Sequence, residues 1–120
     1  VKLAEQVNSW AEKSPSGAIL ILTPRHLIPL VRHALPDVQM IDNEVYSQQL
    51  AALQHESIKS QTKVIACMGC PSRLHRAAFL PTMALSLYRN EKRDLIIKLV
   101  RASQQMRLNW PVGKEITLKE

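Results

Sequence analysis

Reactive residue types crowd most closely in Lys63-Val64-Ile65-Ala66-Cys67-Met68-Gly69-Cys70-Pro71-Ser72-Arg73. An apolar run ends at Cys67, and Arg73 follows six positions later at the expected start of a helix. A loop between a strand and a helix N-terminus aims backbone N–H groups at an anion. The same field lowers the pKa of a thiol there, and an arginine can clamp the anion through two bonds. This spacing makes Cys67 a candidate nucleophile and Arg73 its clamp, with Asp37 or Asp42 as candidate general acids. The two thiols also form Cys67-x-x-Cys70-Pro71, a spacing suited to dithiol exchange. Cys67, Cys70 and His75 offer three zinc ligands where a structural site takes four.

The C-x5-R spacing resembles the loop of cysteine-dependent phosphatases and arsenate reductases, and the C-x-x-C resembles thioredoxin-like redox sites. The first resemblance implies phosphoryl or arsenate chemistry at Cys67 and Arg73. Pro71, however, removes a backbone donor, and Leu74 stands where that loop usually carries a hydroxyl. The competing reading makes both cysteines small apolar residues at a buried strand end and turn. It is preferred, with no cofactor and no metal expected. The histidines His26, His33, His55 and His75 are scattered, without a pair at ligand spacing on a helix, and His26 and His33 are placed on the solvent side of theirs. Glycine occurs only at 17, 69 and 113, which argues against a glycine-rich nucleotide loop.

Composition sets the wider bounds. The chain has 120 residues, 46% of them hydrophobic but only 4% aromatic, so Leu, Ile, Val and Ala must build one core. A net charge of +6 favours acidic partners, nucleic acid among them, through Arg73, Arg76, Arg89, Lys92, Arg93 and Arg101. The sixteen Lys and Arg are spread along the chain, which equally describes a solvated surface. Two cysteines make no secreted disulfide framework, so a reducing cytoplasm is expected. No apolar run reaches the roughly 20 residues of a spanning helix, and no membrane insertion of this segment is expected. The chain is read as one domain, residues 1–120, cut from a larger bacterial-type protein.

The positioning elements follow from periodicity. Leu3, Val7 and Trp10 predict a helix over 2–13, and Ser14-Pro15-Ser16-Gly17 ends it. Ala18–Leu22 is continuously apolar, the pattern of a strand buried on both faces. Thr23-Pro24 reads as an N-cap with Pro at the first helical position. Leu27, Leu30, Val31, Ala34 and Leu35 form the inner stripe of that helix, and Pro29 predicts a kink or a later start. Pro36-Asp37 closes the helix, and Val38–Ile41 is the second strand of a tight βαβ unit with a parallel pair. A helix over 45–59 turns Tyr46, Leu50 and Leu53 inward, a strand covers 63–67, and residues 68–71 turn. Beyond them the chain reads as mostly helical, divided by Pro81. Asn90 caps a last helix that faces Leu95, Ile96, Leu99, Val100 and Met106 inward. A turn over 109–113 leads to an edge strand at Glu115–Leu118. The expected fold is a small three-layer α/β domain with a short, mainly parallel sheet and a helical C-terminal half.

Residues 1–70 also resemble one known subdomain. A helix over Leu3–Trp10, an apolar strand, Arg25-His26-Leu27-Ile28-Pro29-Leu30-Val31-Arg32, then Leu35-Pro36-Asp37-Val38, Glu44 and a closing strand Lys63–Ala66 carry the likeness. It is to the last cytosolic subdomain of the flagellar and type III secretion export-gate family. This chain departs from that pattern in the helix between Glu44 and Lys63 and in the fifty residues after the closing strand. The resemblance implies a non-catalytic docking platform for secretion substrates and chaperones. The leading reading is accordingly a protein-interaction or regulatory module that binds another protein or another domain of its own chain. A Cys67/Arg73 enzyme and a basic nucleic-acid-binding domain are the alternatives.

Overall fold

An unbroken apolar run such as Ala18–Leu22 needs a strand on either side and cover on both faces. The computed structural model, which describes residues 1–13, 17–70, 83–102 and 112–120, supplies all of these. The elements in chain order are α1 (Leu3–Ala11), β1 (Gly17–Thr23), a 3-10 turn (Arg25–Leu27), α2 (Ile28–Ala34), β2 (Gln39–Met40), α3 (Tyr46–Ser60), β3 (Lys63–Gly69), β4 (Met83–Arg89), β5 (Leu95–Ala102) and β6 (Glu115–Leu118). The strands form one six-stranded sheet in the order β2-β3-β1-β4-β5-β6. The first four strands run parallel, and β5 and β6 are each antiparallel to the strand before them. All seven residues of β1 are buried. β1 matches β3 residue for residue, from Gly17 opposite Lys63 to Thr23 opposite Gly69.

Strand alternation sorts the core into two layers. Ile19, Ile21, Cys67, Leu85, Leu87, Ile97 and Leu99 face α1 and α2, where they meet Leu3, Val7, Trp10, Leu27 and Val31. Ala18, Leu20, Leu22, Ala66, Met68 and Ala84 face α3 and pack on Leu50. α3 is also tied to the start of β1 by polar bonds. The Gly17 N–H donates to Ser57 Oγ (2.7 Å), and the Ala18 N–H donates to Gln54 Oε1 (2.6 Å). Ser57 is fully buried, and its hydroxyl donates in turn to the Thr62 carbonyl. Gly17 takes φ 120°, a conformation open to glycine and strained for other residues.

The helical C-terminal half expected from sequence is not there. Residues 83–102 form a β-hairpin, and β6 extends it as the edge strand placed at Glu115–Leu118. Leu95, Ile96, Leu99 and Val100 fit a helical stripe, but Leu95, Ile97 and Leu99 fit alternation equally well. The β-branched residues and the pairing with β4 decide for the strand. Asn90 does cap a turn: its Oδ1 accepts the Asp94 N–H (2.9 Å) and its carbonyl accepts the Arg93 N–H (3.0 Å). The turn joins two strands, and Arg93 sits in it at φ 65°.

The other differences are local. β1 and β2 lie parallel in one sheet but are not neighbours, because β3 separates them. Gln39 and Met40 are exposed, which suits a sheet edge. Thr23 is the last residue of β1, not a helix cap, and Pro24 takes the cap position of the 3-10 turn. Pro29 gives the later start, with α2 beginning at Ile28. Met68 and Gly69 extend β3 where a turn was expected. Pro81, Met106 and the turn at 109–111 lie outside the described residues.

The hairpin carries its own test. Arg93→Gly should stabilise the protein by about 1 kcal/mol, since glycine adopts a left-handed φ without the Cβ clash. Inside a helix the same change would cost about 1 kcal/mol. Urea unfolding of the two proteins therefore distinguishes hairpin from helix by the sign of the change.

Candidate functional site

In α/β sheets, ligands bind beyond the carboxyl ends of the parallel strands. Here β1 and β3 end side by side, and the sheet order carries the chain from β1 past β3 to β2 and from β3 past β1 to β4. Thr23 and Gly69 lie opposite each other at these ends, and the Cys70 N–H donates to the Thr23 carbonyl (2.9 Å). Arg25 lies against Gly69. A Cβ at position 69 would stand 3.2 Å from Arg25 Cγ, 3.5 Å from Arg25 Nε and 3.7 Å from Asn43 Nδ2.

Asn43 is anchored in this place. Its Nδ2 donates to the Gly69 carbonyl (2.8 Å). The turn that carries it is held by the Asp42 N–H donating to Gln49 Oε1 (2.7 Å) and the Glu44 N–H donating to Asp42 Oδ1 (2.9 Å). Thr23 is fully buried, and among the described residues its Oγ1 has no hydrogen-bond partner. Such a hydroxyl costs about 1–3 kcal/mol relative to a satisfied one. Sequence reasoning did not find this group. Thr23 read as a cap, and Arg25, Asn43 and Gly69 meet only through the β1–β3 register.

The residues singled out for cysteine chemistry are placed differently. Cys67 is fully buried in the middle of the sheet, opposite Ile21 on one side and Met40 on the other. Burial pushes its thiol up from 9.0 to about 11, away from the thiolate a nucleophile needs. Its side chain points into the α1–α2 core layer. Cys70 is exposed just past the strand end. Arg73 and His75 lie outside the described residues, so neither is placed beside the cysteines. Asp37 and Asp42 are exposed, before and after β2 respectively. Among the described residues no three His, Cys, Asp or Glu side chains gather to hold a metal.

Among the described residues, the basic side chains named for nucleic acid do not gather on one patch. Arg89, Lys92 and Arg93 lie at the turn end of the hairpin, and Arg89 pairs with Glu120 (2.6 Å). Arg101 lies at the opposite end of β5, opposite Ala84, roughly 25 Å away at the usual strand rise. Arg76 lies outside the described residues. On the outer hairpin surface, Lys98 stands 5.4 Å over the Tyr88 ring, and the Tyr88 hydroxyl donates to Glu115. Its hydroxyl is pushed up to about 12, by desolvation first and then by the bond to the Glu115 carboxylate and its charge.

A second feature is the free edge of the sheet. β2 covers β3 only at Ala66 and Cys67, so Lys63, Val64 and Ile65 have no strand along their outer side among the described residues. The chain swings away there through Leu35–Val38. The groove it leaves, about 310 Å³, is lined by Leu35, Pro36, Val38, Lys63, Val64 and Ile65 among others. No family model, no curated protein and no solved structure matches this chain. Among the described residues no helix is long and apolar enough to cross a membrane.

Proposed function

We propose that this chain is a non-catalytic protein-docking module that captures an extended, acidic segment of a partner along the outer edge of β3. The observation that carries this reading is the uncovered stretch Lys63–Ile65 beside a groove that mixes apolar residues with Asn8, Asp37 and Gln39. Unpaired strand N–H and C=O groups are matched best by another strand, which brings main-chain bonds while the groove receives its alternate side chains. Lys63 at the rim and the net charge of +6 favour a carboxylate-rich segment. The resemblance of residues 1–70 to the export-gate subdomain points to the same role, with a secretion substrate or its chaperone as partner.

Selection of random ten-residue peptides on the folded chain tests the proposal. Enriched peptides should alternate apolar residues, carry carboxylates, and shift the backbone amide signals of residues 63–65. Lys63→Glu should weaken them several-fold, and N-methylation of alternate peptide nitrogens should abolish binding. Peptides that tolerate N-methylation, or that map away from β3, would overturn the docking mode.

A further inference from the structure

We infer that the carboxyl ends of β1 and β3 form a binding site for a phosphate-type oxyanion, with Arg25, Asn43 and Thr23 as its donors around Gly69. This goes beyond the docking proposal and rests on different residues at the other end of β3.

Three observations converge on one point. First, Arg25 is exposed, has no carboxylate within ion-pair distance among the described residues, and yet lies against Gly69. Its guanidinium presents a planar fork of donors that suits two oxygens of one anion. Second, Asn43 spends one amide proton on the Gly69 carbonyl and holds its Nδ2 3.7 Å from the empty Cβ position. A second proton on the same nitrogen remains for a ligand.

Third, Thr23 Oγ1 has no partner among the described residues. Register partners on parallel strands carry their side chains on the same face, about 5 Å apart. The Thr23 side chain therefore lies beside Gly69 on the face that Arg25 covers. A buried hydroxyl with no acceptor inside the fold gains a bond when an oxygen arrives from outside. The side chain that must move to admit it is Arg25, which is long and exposed. Glycine at 69 lets the Arg25 stem lie close against the strand end, where a Cβ would stand only 3.2 Å from its Cγ.

The opposing charges nearby are Asp42 and Glu44, which flank Asn43 and are exposed. Asp42 Oδ1 already accepts the Glu44 N–H within its own turn (2.9 Å). The donor set around Gly69 itself contains no carboxylate oxygen.

Titrating the folded chain with inorganic phosphate and with glycerol phosphate, against chloride at equal ionic strength, tests the site. Both phosphates should shift the amide signals of Thr23, Asn43 and Gly69 saturably and raise the melting temperature. A tighter fit for the ester would identify an organic phosphate, and equal affinities the phosphoryl group alone. Arg25→Gln should lower affinity at least about tenfold, by loss of the charge-assisted fork.

Gly69→Ala should keep the fold, since φ at 69 is ordinary and Arg25 can give way, but its Cβ should push the Arg25 stem off the strand end and weaken binding several-fold. Thr23→Val is the sharpest variant. It removes the unpartnered hydroxyl at constant shape, so it should raise the melting temperature by a few degrees, about the effect of one relieved polar group. It should also weaken phosphate about tenfold. A response to phosphate no larger than to chloride, or one unchanged in Arg25→Gln, would overturn the inference. So would Thr23→Val binding phosphate as the parent does.

Discussion

Trp10→Ala is expected to lower stability by about 3–5 kcal/mol, the largest loss from any single side chain in this protein. Trp10 is 2% exposed, in the last turn of α1, and shares a core layer with Ile19, Ile21, Leu85 and Ile97. Among the described residues no other aromatic ring lies in this layer to move into the void. The lost transfer energy therefore adds to a full cavity term. For a domain of this size the melting temperature should fall by roughly 10–20 °C. Leu50→Ala, in the α3 layer, should cost about 2–5 kcal/mol by the same route. Ile58→Ala, at a residue 56% exposed, should change stability by no more than about 0.5 kcal/mol. Urea unfolding of the three variants checks this ranking. If Trp10→Ala cost no more than Ile58→Ala, α1 would not be packed on the sheet as described.

The first seventy residues were legible because their patterns are unmixed. Ala18–Leu22 contains no polar residue, and a strand of that kind has few places to go but the sheet interior, where β1 lies. The α2 stripe ends at Leu35, and Pro36 and Asp37 then mark a turn in any setting. What this pattern does not contain is which strand sits next to β1. That choice is made by β3, whose seven residues match β1 along its whole length, while the two exposed residues of β2 are left with an edge. The C-terminal hairpin was hidden by a real ambiguity. Leu95-Ile96-Ile97-Lys98-Leu99-Val100 supports periods of both two and 3.6, and the turn before it lacks the Asn-Gly or Asp-Gly pair that announces a hairpin. Arg93 takes the left-handed position that glycine usually fills.

The candidate sites were less legible still. The preferred reading of Cys67 as buried agrees with its place in the core, but the strand-to-turn boundary was two residues off, because Met68 and Gly69 find partners in Leu22 and Thr23. The same pairing creates the Arg25–Asn43–Thr23 group. Thr23 and Arg25 are near neighbours, but Asn43 lies at least eighteen positions from both and Gly69 at least twenty-six from all three, and nothing local in the sequence links these segments. Similarly, the free edge at Lys63–Ile65 exists because β2 is short, a property of the chain's path after Pro36.

In the folded protein Cys67 should resist alkylation at least about a thousandfold relative to Cys70, since reaching it requires the sheet to open. Cys70 is exposed and should label quickly, so mass spectrometry after a short pulse should find one adduct, at Cys70. Trp10→Ala should then accelerate labelling of Cys67 by roughly a few hundredfold to a few thousandfold, the factor its loss of stability corresponds to. Phosphate should give no protection beyond its effect on overall stability, because Cys67 lies within the core layer rather than at the strand-end site. Alkaline pH supplies a second readout. The folded thiol ionises near 11 and the unfolded one near 9.0, so the folded state holds its proton over a range in which the unfolded state has lost it. Stability from this group is thus complete below about pH 9 and lost as pH rises toward 11, by about 3 kcal/mol in all. Tyr88, raised from 10.0 to about 12, adds its own loss only at the upper end of that window. The slope between pH 9 and 10 therefore belongs chiefly to Cys67, and Cys67→Ala should flatten it while leaving the fold in place. Rapid modification of Cys67 near neutral pH, slowed by phosphate, would instead mean that its thiol reaches an anion site. The nucleophile reading of Cys67 and Arg73 would then displace the docking module.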